Sequence, residues 1–152
     1  MFYETYDAQH YQSLMFSPTG FAGPSNENLM SAHQYYASES GESFKFNGEV
    51  FGWLTADNNA SFYGKNDENG NDKAATSLIK EALNKAVTTY DIDLSKFDLI
   101  DPADLDGDGI IAEPDGYIDY IMVFHSSVGA DAGGGILGDE AIWAHRWNIS
   151  NY

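Results

Sequence analysis

The sequence predicts an α/β fold, helices packed on a mixed sheet, and three observations carry that expectation. Apolar residues recur at helical spacing in three stretches, an Asn-Gly pair divides two alternating runs, and a short run of β-formers follows an acidic loop. Tyr6, Tyr11, Leu14 and Met15 share one face of a short helix over residues 4 to 16, ending before Pro18. A second helix is expected from Ser25 or Asn26, with Leu29, Met30, His33 and Tyr36 on one side and Gly41 as its stop. In SFKFNGEVFGWLT, Asn47-Gly48 signals a hairpin that lines up Phe44, Phe46, Phe51 and Trp53 on one face. Residues 57 to 72 read as a polar surface loop.

A long amphipathic helix follows, N-capped by Asp72, with Ala75, Leu78, Ile79, Ala82, Leu83, Ala86 and Val87 as its apolar stripe. Glu81 stands four residues before Lys85, a supporting ion-pair spacing. YIDYIMVFH, residues 117 to 125, has the apolar, β-rich character of a strand buried on both faces. A glycine-rich connection then leads to AIWAHRW, residues 141 to 147, read as a final strand. No repeat and no internal domain boundary is visible.

Charge narrows the function. The 152 residues carry 24 Asp+Glu against 7 Lys+Arg, a formal charge of -17. That field repels a phosphate backbone and an anionic bilayer surface, so nucleic acid and membrane are excluded as expected partners and cations are favoured. An aromatic content of 14% is too high for a disordered acidic chain. The absence of cysteine removes disulfides, thiolate metal sites and cysteine nucleophiles together. No run is long and apolar enough to span a bilayer, and MFYETYDAQHYQ has no signal-peptide character.

Between Lys96 and Arg146 there is no Lys or Arg, but there are 11 acids. The dense part, DLDGDGIIAEPD at 104 to 115, matches the calcium-loop template D-x-[DN]-x-[DN]-G-x5-E up to its last position, where Asp115 replaces Glu. Asp104, Asp106 and Asp108 alternate around a tight turn so that their carboxylates converge, Gly109 permits the bend, and the Ile110 carbonyl supplies a further oxygen. Asp115 closes the shell less securely than Glu would, with Asp119 or Glu113 as substitutes. An extended segment rather than an amphipathic helix follows, so the site is expected to be structural and not a calcium sensor.

The four histidines, His10, His33, His125 and His145, form no H-x-x-x-H or H-x-H pair, which leaves no helix-borne zinc site. GADAGGG opens no helix as a phosphate loop would, and no G-x-S-x-G surrounds Ser126 and Ser127. Asp139 and Glu140 are adjacent, which on a strand turns them to opposite faces. No catalytic residue is therefore assigned.

DLDGDGIIAEPDGYIDYIMVFHSSVGADAGGGILGDEAIWAHRW, residues 104 to 147, resembles the middle of the catalytic domain in the immune inhibitor A family of secreted bacterial zinc metalloproteases. The likeness extends upstream through HYQSLMFS, GPSNENLMSAHQYYASESGESFKFNGEVFGWLTADNNASFYGKND and DIDLSKFDLIDPADLDGDG, nearly the whole chain. The resemblance implies a zincin-like mixed sheet packed with helices, calcium in this chain, zinc in the full-length protein, protein or peptide substrates and an extracellular location. The family's zinc motif, H-E-x-x-H, does not occur here, so residues 1 to 152 are expected to be the N-terminal part of a catalytic domain, inactive alone. By analogy with zincins, Ile142, Trp143 and Ala144 are candidates for an edge strand that holds substrate, with Gly134 and Gly135 leaving room for it. The rival expectation is a stand-alone calcium-binding or adhesive module without catalysis.

Overall fold

The computed structural model describes residues 6–146, which leaves Trp147 and the first two residues of the expected N-terminal helix outside the described part. Two compact units divide the chain, one of Met1–Trp53 with Tyr90–Ile121, the other of Leu54–Thr89 with Met122–Tyr152.

In the first unit α1 runs Ala8–Phe16, started by Asp7, whose carboxylate accepts the His10 N–H at 2.8 Å. It stops where Ser17, preceding Pro18, turns extended. A short antiparallel pair follows, β1 (Phe21–Ala22) and β2 (Asn28–Leu29), in register Phe21↔Leu29 and Ala22↔Asn28. Helix α2 is Ala32–Glu39. It begins later than the sequence suggested because Asn28 and Leu29 are committed to β2 and Ser31 with Gln34 forms a reciprocal capping box. Leu29 and Met30 are consequently exposed instead of facing a helix core. Gly41, at φ 61°, ends α2 with both bonds of a Schellman motif, Gly41 N–H to Ser38 O and Glu42 N–H to Ala37 O.

The hairpin expected at Asn47-Gly48 does not form. Neither residue takes the positive φ that a two-residue turn demands. The chain runs beside α1 instead, where the Gln12 amide bridges two residues of it: its Nε2 donates to Gly48 O at 3.2 Å and its Oε1 accepts from Val50 N at 2.8 Å. Gly48 is needed for proximity, since a Cβ there would lie 2.5 Å from the Phe16 ring. Aromatic contacts complete this core, with Phe46 against Phe16 and Tyr36, and Trp53 edge-on to Tyr11. His33 donates from Nδ1 to Phe46 O and His10 stacks among Tyr6, Tyr11 and Phe21, so both are structural.

In the second unit the stretch expected to be a plain loop contains α3, Ala60–Gly64, capped by Asn59. Tyr63, 2% exposed, accepts the Asn58 N–H and donates its hydroxyl to Glu81 at 2.6 Å. That bond, then Lys85, holds the Glu81 carboxyl below its ordinary pKa. Lys85 Nζ reaches Glu81, Asp57 and the Thr55 carbonyl, the i,i+4 pair anticipated from sequence. Both lie on α4, Ala75–Tyr90, whose predicted apolar stripe is the half-buried face. A true chain reversal sits just before α4, at DENG. Gly70, at φ 81°, donates to Asp67 O, while Lys73 N to Lys65 O and Asp67 N to Asn71 O make a short antiparallel ladder with Asn66 opposite Asp72.

The sheet is smaller than predicted: among the described residues β1 and β2 are its only strands. Residues 117 to 125 are not a buried strand, for Tyr117, Tyr120, Met122 and Phe124 are all exposed. β-Rich composition reports compatibility with a pleated surface and supplies no neighbour, and here the Asp119 N–H goes to Phe97 O. Residues 141 to 146 likewise form no strand. Ala141 and Ile142 are buried, but the 142–143 peptide spends its groups outside any ladder, Ile142 O on Ala130 N and Trp143 N on the Asp72 carboxylate.

Candidate metal centre

The acidic loop lies wholly within the first unit. Asp104 (φ 49°), Gly107 (φ 77°) and Gly109 (φ 82°) adopt left-handed backbone, which folds DLDGDG into consecutive tight turns. Each acid stabilises the next turn with one oxygen: Asp104 Oδ1 accepts Gly109 N at 3.1 Å, Asp106 Oδ1 accepts Asp108 N at 3.2 Å, and Asp108 Oδ1 accepts Ile110 N at 2.7 Å. Carboxylate oxygens of Asp104, Asp106 and Asp108 thereby fall within 4.8 Å of one another.

A second grouping of the same size joins Asp106 to Asp101 and Glu113. Asp101 is 3% exposed, and its carboxylate accepts Ala103 N at 3.2 Å and Leu105 N at 2.6 Å. The sequence template misses it because it precedes the first template position, yet an acid three residues ahead of such a loop is a readable signal. Glu113 is placed with this group. Burial first, then the charges of Asp108, Asp106, Asp101 and Asp104, raise its pKa above the ordinary carboxylate value.

Asp115 and Asp119 turn elsewhere. Asp115 accepts the Tyr117 N–H, and Asp119 accepts both Leu99 N and Ile100 N, stitching the loop to residues 97 to 101. Neither belongs to a carboxylate grouping among the described residues. Ile110 stays in the loop with its side chain exposed. The donor set is all oxygen and several-fold anionic, the chemistry that suits a hard cation rather than zinc.

The residues expected to bind substrate lie in the second unit. Gly133, Gly134 and Gly135 all have positive φ, so glycine is required there by the turn itself. The open face of Gly134 is filled by Gly138, whose carbonyl oxygen would lie 2.0 Å from an added Cβ. Ile142 is buried against Gly64 of α3, and Trp143 and Ala144 are exposed. Next to them Asp72 has a fully buried side chain whose Oδ2 accepts Trp143 N at 2.8 Å and His145 Nε2 at 2.7 Å. It does not cap α4 as predicted, because the helix begins three residues later at Ala75 and Asp72 is held in the ladder opposite Asn66. His125 shares a hydrogen bond with Ser127 Oγ, and burial pushes its pKa down despite Asp131 and Asp72.

Comparison with known proteins agrees with the sequence resemblance. The family described as Immune inhibitor A peptidase M6, catalytic domain, matches residues 1–152. The pre-pro-metalloprotease PrtV of Vibrio cholerae serotype O1 (strain M66-2) is 46% identical over 153 aligned residues, covering 100% of this chain and 17% of that protein. Immune inhibitor A of Bacillus thuringiensis subsp. alesti is 40% identical over 153 aligned residues, covering 98% of this chain and 22% of that protein. The chain thus spans about a fifth of the length of these relatives. Matched along its full length by the family's catalytic domain, the chain belongs to the immune inhibitor A peptidases, family M6.

Proposed function

We propose that this chain is part of the catalytic domain of a secreted zinc metalloendopeptidase, and that it contributes a structural calcium site to that domain. The observation that carries the reading is the match of all 152 residues to the catalytic domain of a peptidase family. Zinc, when bound in the complete enzyme, would activate a water for attack on the scissile carbonyl. Hydrolysis of protein or peptide substrates is assigned to the complete protein, because H-E-x-x-H does not occur in these 152 residues. A zincin-like mixed sheet is the architecture we assign to the complete domain, with Trp143 and Ala144 as the exposed part of its substrate-facing segment. Extracellular location rests on the family likeness. No helix of the described residues is long and apolar enough to cross a membrane.

For calcium we assign Asp104, Asp106, Asp108 and the main chain at Ile110, with Glu113 and Asp101 completing the shell in place of Asp115 and Asp119. The support is geometric and electrostatic: the carboxylates cluster within reach of one ion, and their charges, after burial, help to raise the Glu113 pKa. The ion's role is to fix the loop against residues 97 to 101. Thermal melts in calcium and in chelator test this. Calcium at about 100 times the Kd of the loop should stabilise the chain by roughly 2.7 kcal/mol, and Asp104→Asn with Asp108→Asn should remove that contribution. A midpoint indifferent to calcium rejects the site.

A further inference from the structure

A second place in the molecule asks for a cation, far from the acidic template in sequence and made of different chemistry. In the ladder at 65 to 73, the bonds Lys73 N to Lys65 O and Asp67 N to Asn71 O flank Asn66 and Asp72, which makes them a non-hydrogen-bonded pair. Such pairs carry their side chains on one face with Cβ atoms about 4.5–5.5 Å apart. Asn66 Oδ1 and Asp72 Oδ1 are both out of solvent, and both lack a hydrogen-bond partner. They are two buried acceptors on residues paired across the ladder, and no donor reaches either. A single orphaned buried acceptor is unfavourable, and two opposed ones call for something positive.

Among the described residues no donor is supplied to either Oδ1. Asp72 has no side-chain exposure, and its other oxygen is already occupied by Trp143 N and His145 Nε2. Lys65 and Lys73 are the next residues along the ladder, so alternation sends their side chains to the opposite face, where both are exposed. Asp72, though not Asn66, also lines a half-open cavity of about 280 Å³ with Gly70, Asn71, Trp143, Ala144 and His145, room for several waters.

We propose that Asn66 Oδ1 and Asp72 Oδ1 bind a hard divalent cation of the Mg²⁺ or Ca²⁺ kind that retains part of its water. One carboxylate, one amide oxygen and retained water are a donor set such ions accept. The ion would tie the 65–73 turn, through Asp72, to the segment carrying Trp143 and His145.

The test uses the full chain with Asp104→Asn and Asp106→Asn, so that the acidic loop does not contribute, and Tb³⁺ as an oxygen-seeking luminescent probe excited through tryptophan. The expected result is saturable emission that Mg²⁺ or Ca²⁺ competes away and that Trp143→Phe removes. Asn66→Ala should weaken binding about tenfold or more, and Asn66→Asp, which adds charge at constant volume, should tighten it about tenfold. Asn66→Asp decides the matter even if an Asp72 variant fails to fold. No saturable emission, or emission indifferent to both Asn66 variants, overturns the site. A lower Tm for Asn66→Asp without tighter binding overturns it too, because it shows the Asn66 amide donating to Asp72.

Discussion

In the acidic loop Asp104, Asp106 and Asp108 stand near the surface, each handing one oxygen to a backbone N–H within five residues, whereas Asp72 is sealed from solvent and draws its partners from residues 143 and 145. The first arrangement gathers negative charge where ions and water can answer it. The second commits one charge to fixed protein partners. Stability therefore follows ligand concentration in the loop, whereas at Asp72 it rests first on the two fixed donors that hold Oδ2.

The largest expected effect separates the two regions directly. Asp72→Ala leaves Trp143 N and His145 Nε2 without their carboxylate and should cost about 3–5 kcal/mol. Asp106→Ala measured in chelator should stay within about 0.5 kcal/mol. Urea titrations of both variants check the contrast, and equal losses would erase it.

A smaller effect probes the support of the buried carboxylate. A Cβ on Gly64 would lie 2.5 Å from both the Ala141 carbonyl carbon and the Ile142 nitrogen, backbone atoms that cannot step aside. Gly64→Ala should cost about 1–3 kcal/mol through overpacking and displace the segment that delivers Trp143 to Asp72. A neutral substitution would show that this segment docks loosely.

The smallest effects are titrations, and they run in opposite directions. His125 has a lowered folded pKa, so its contribution is present above the ordinary histidine value of about 6.5 and is lost as pH falls. Glu113 has a raised folded pKa, so its contribution is present in acid and is lost as pH rises through that pKa. Calcium should suppress the Glu113 component. Melts across pH with His125→Gln and Glu113→Gln, with and without calcium, separate them.

What the sequence made legible was local. The α1 and α4 stripes, the Gly41 stop and the Glu81–Lys85 pair all rest on interactions within a few residues. The convergence of Asp104, Asp106 and Asp108 is local too, set by turns inside the loop. The two Asn-Gly pairs show where that legibility fails. Asn47-Gly48 lies between better alternating runs, yet Phe16 and Gln12 claim its backbone. The chain reverses at Asn69-Gly70, where Asp67 accepts the N–H groups of Asn69 and Asn71, which also lowers its pKa. A turn is chosen by what its flanks can bond to, and the dipeptide alone does not carry that information. Asp101 and Asp72 were illegible for a related reason. Asp101 stands outside the template, and the partners of Asp72 lie 71 and 73 residues away.

That separation also puts a clock on Asp72. At synthesis rates of about 5–20 residues per second, Trp143 is made roughly 4 to 14 seconds after Asp72 has left the ribosome's active centre. The turn at 65 to 73, closed by bonds between near neighbours, has ample time to form before then. In that interval the carboxylate lacks both of its donors. The second unit therefore waits on its last part, and the nascent chain holds an open acidic socket until Trp143 and His145 arrive.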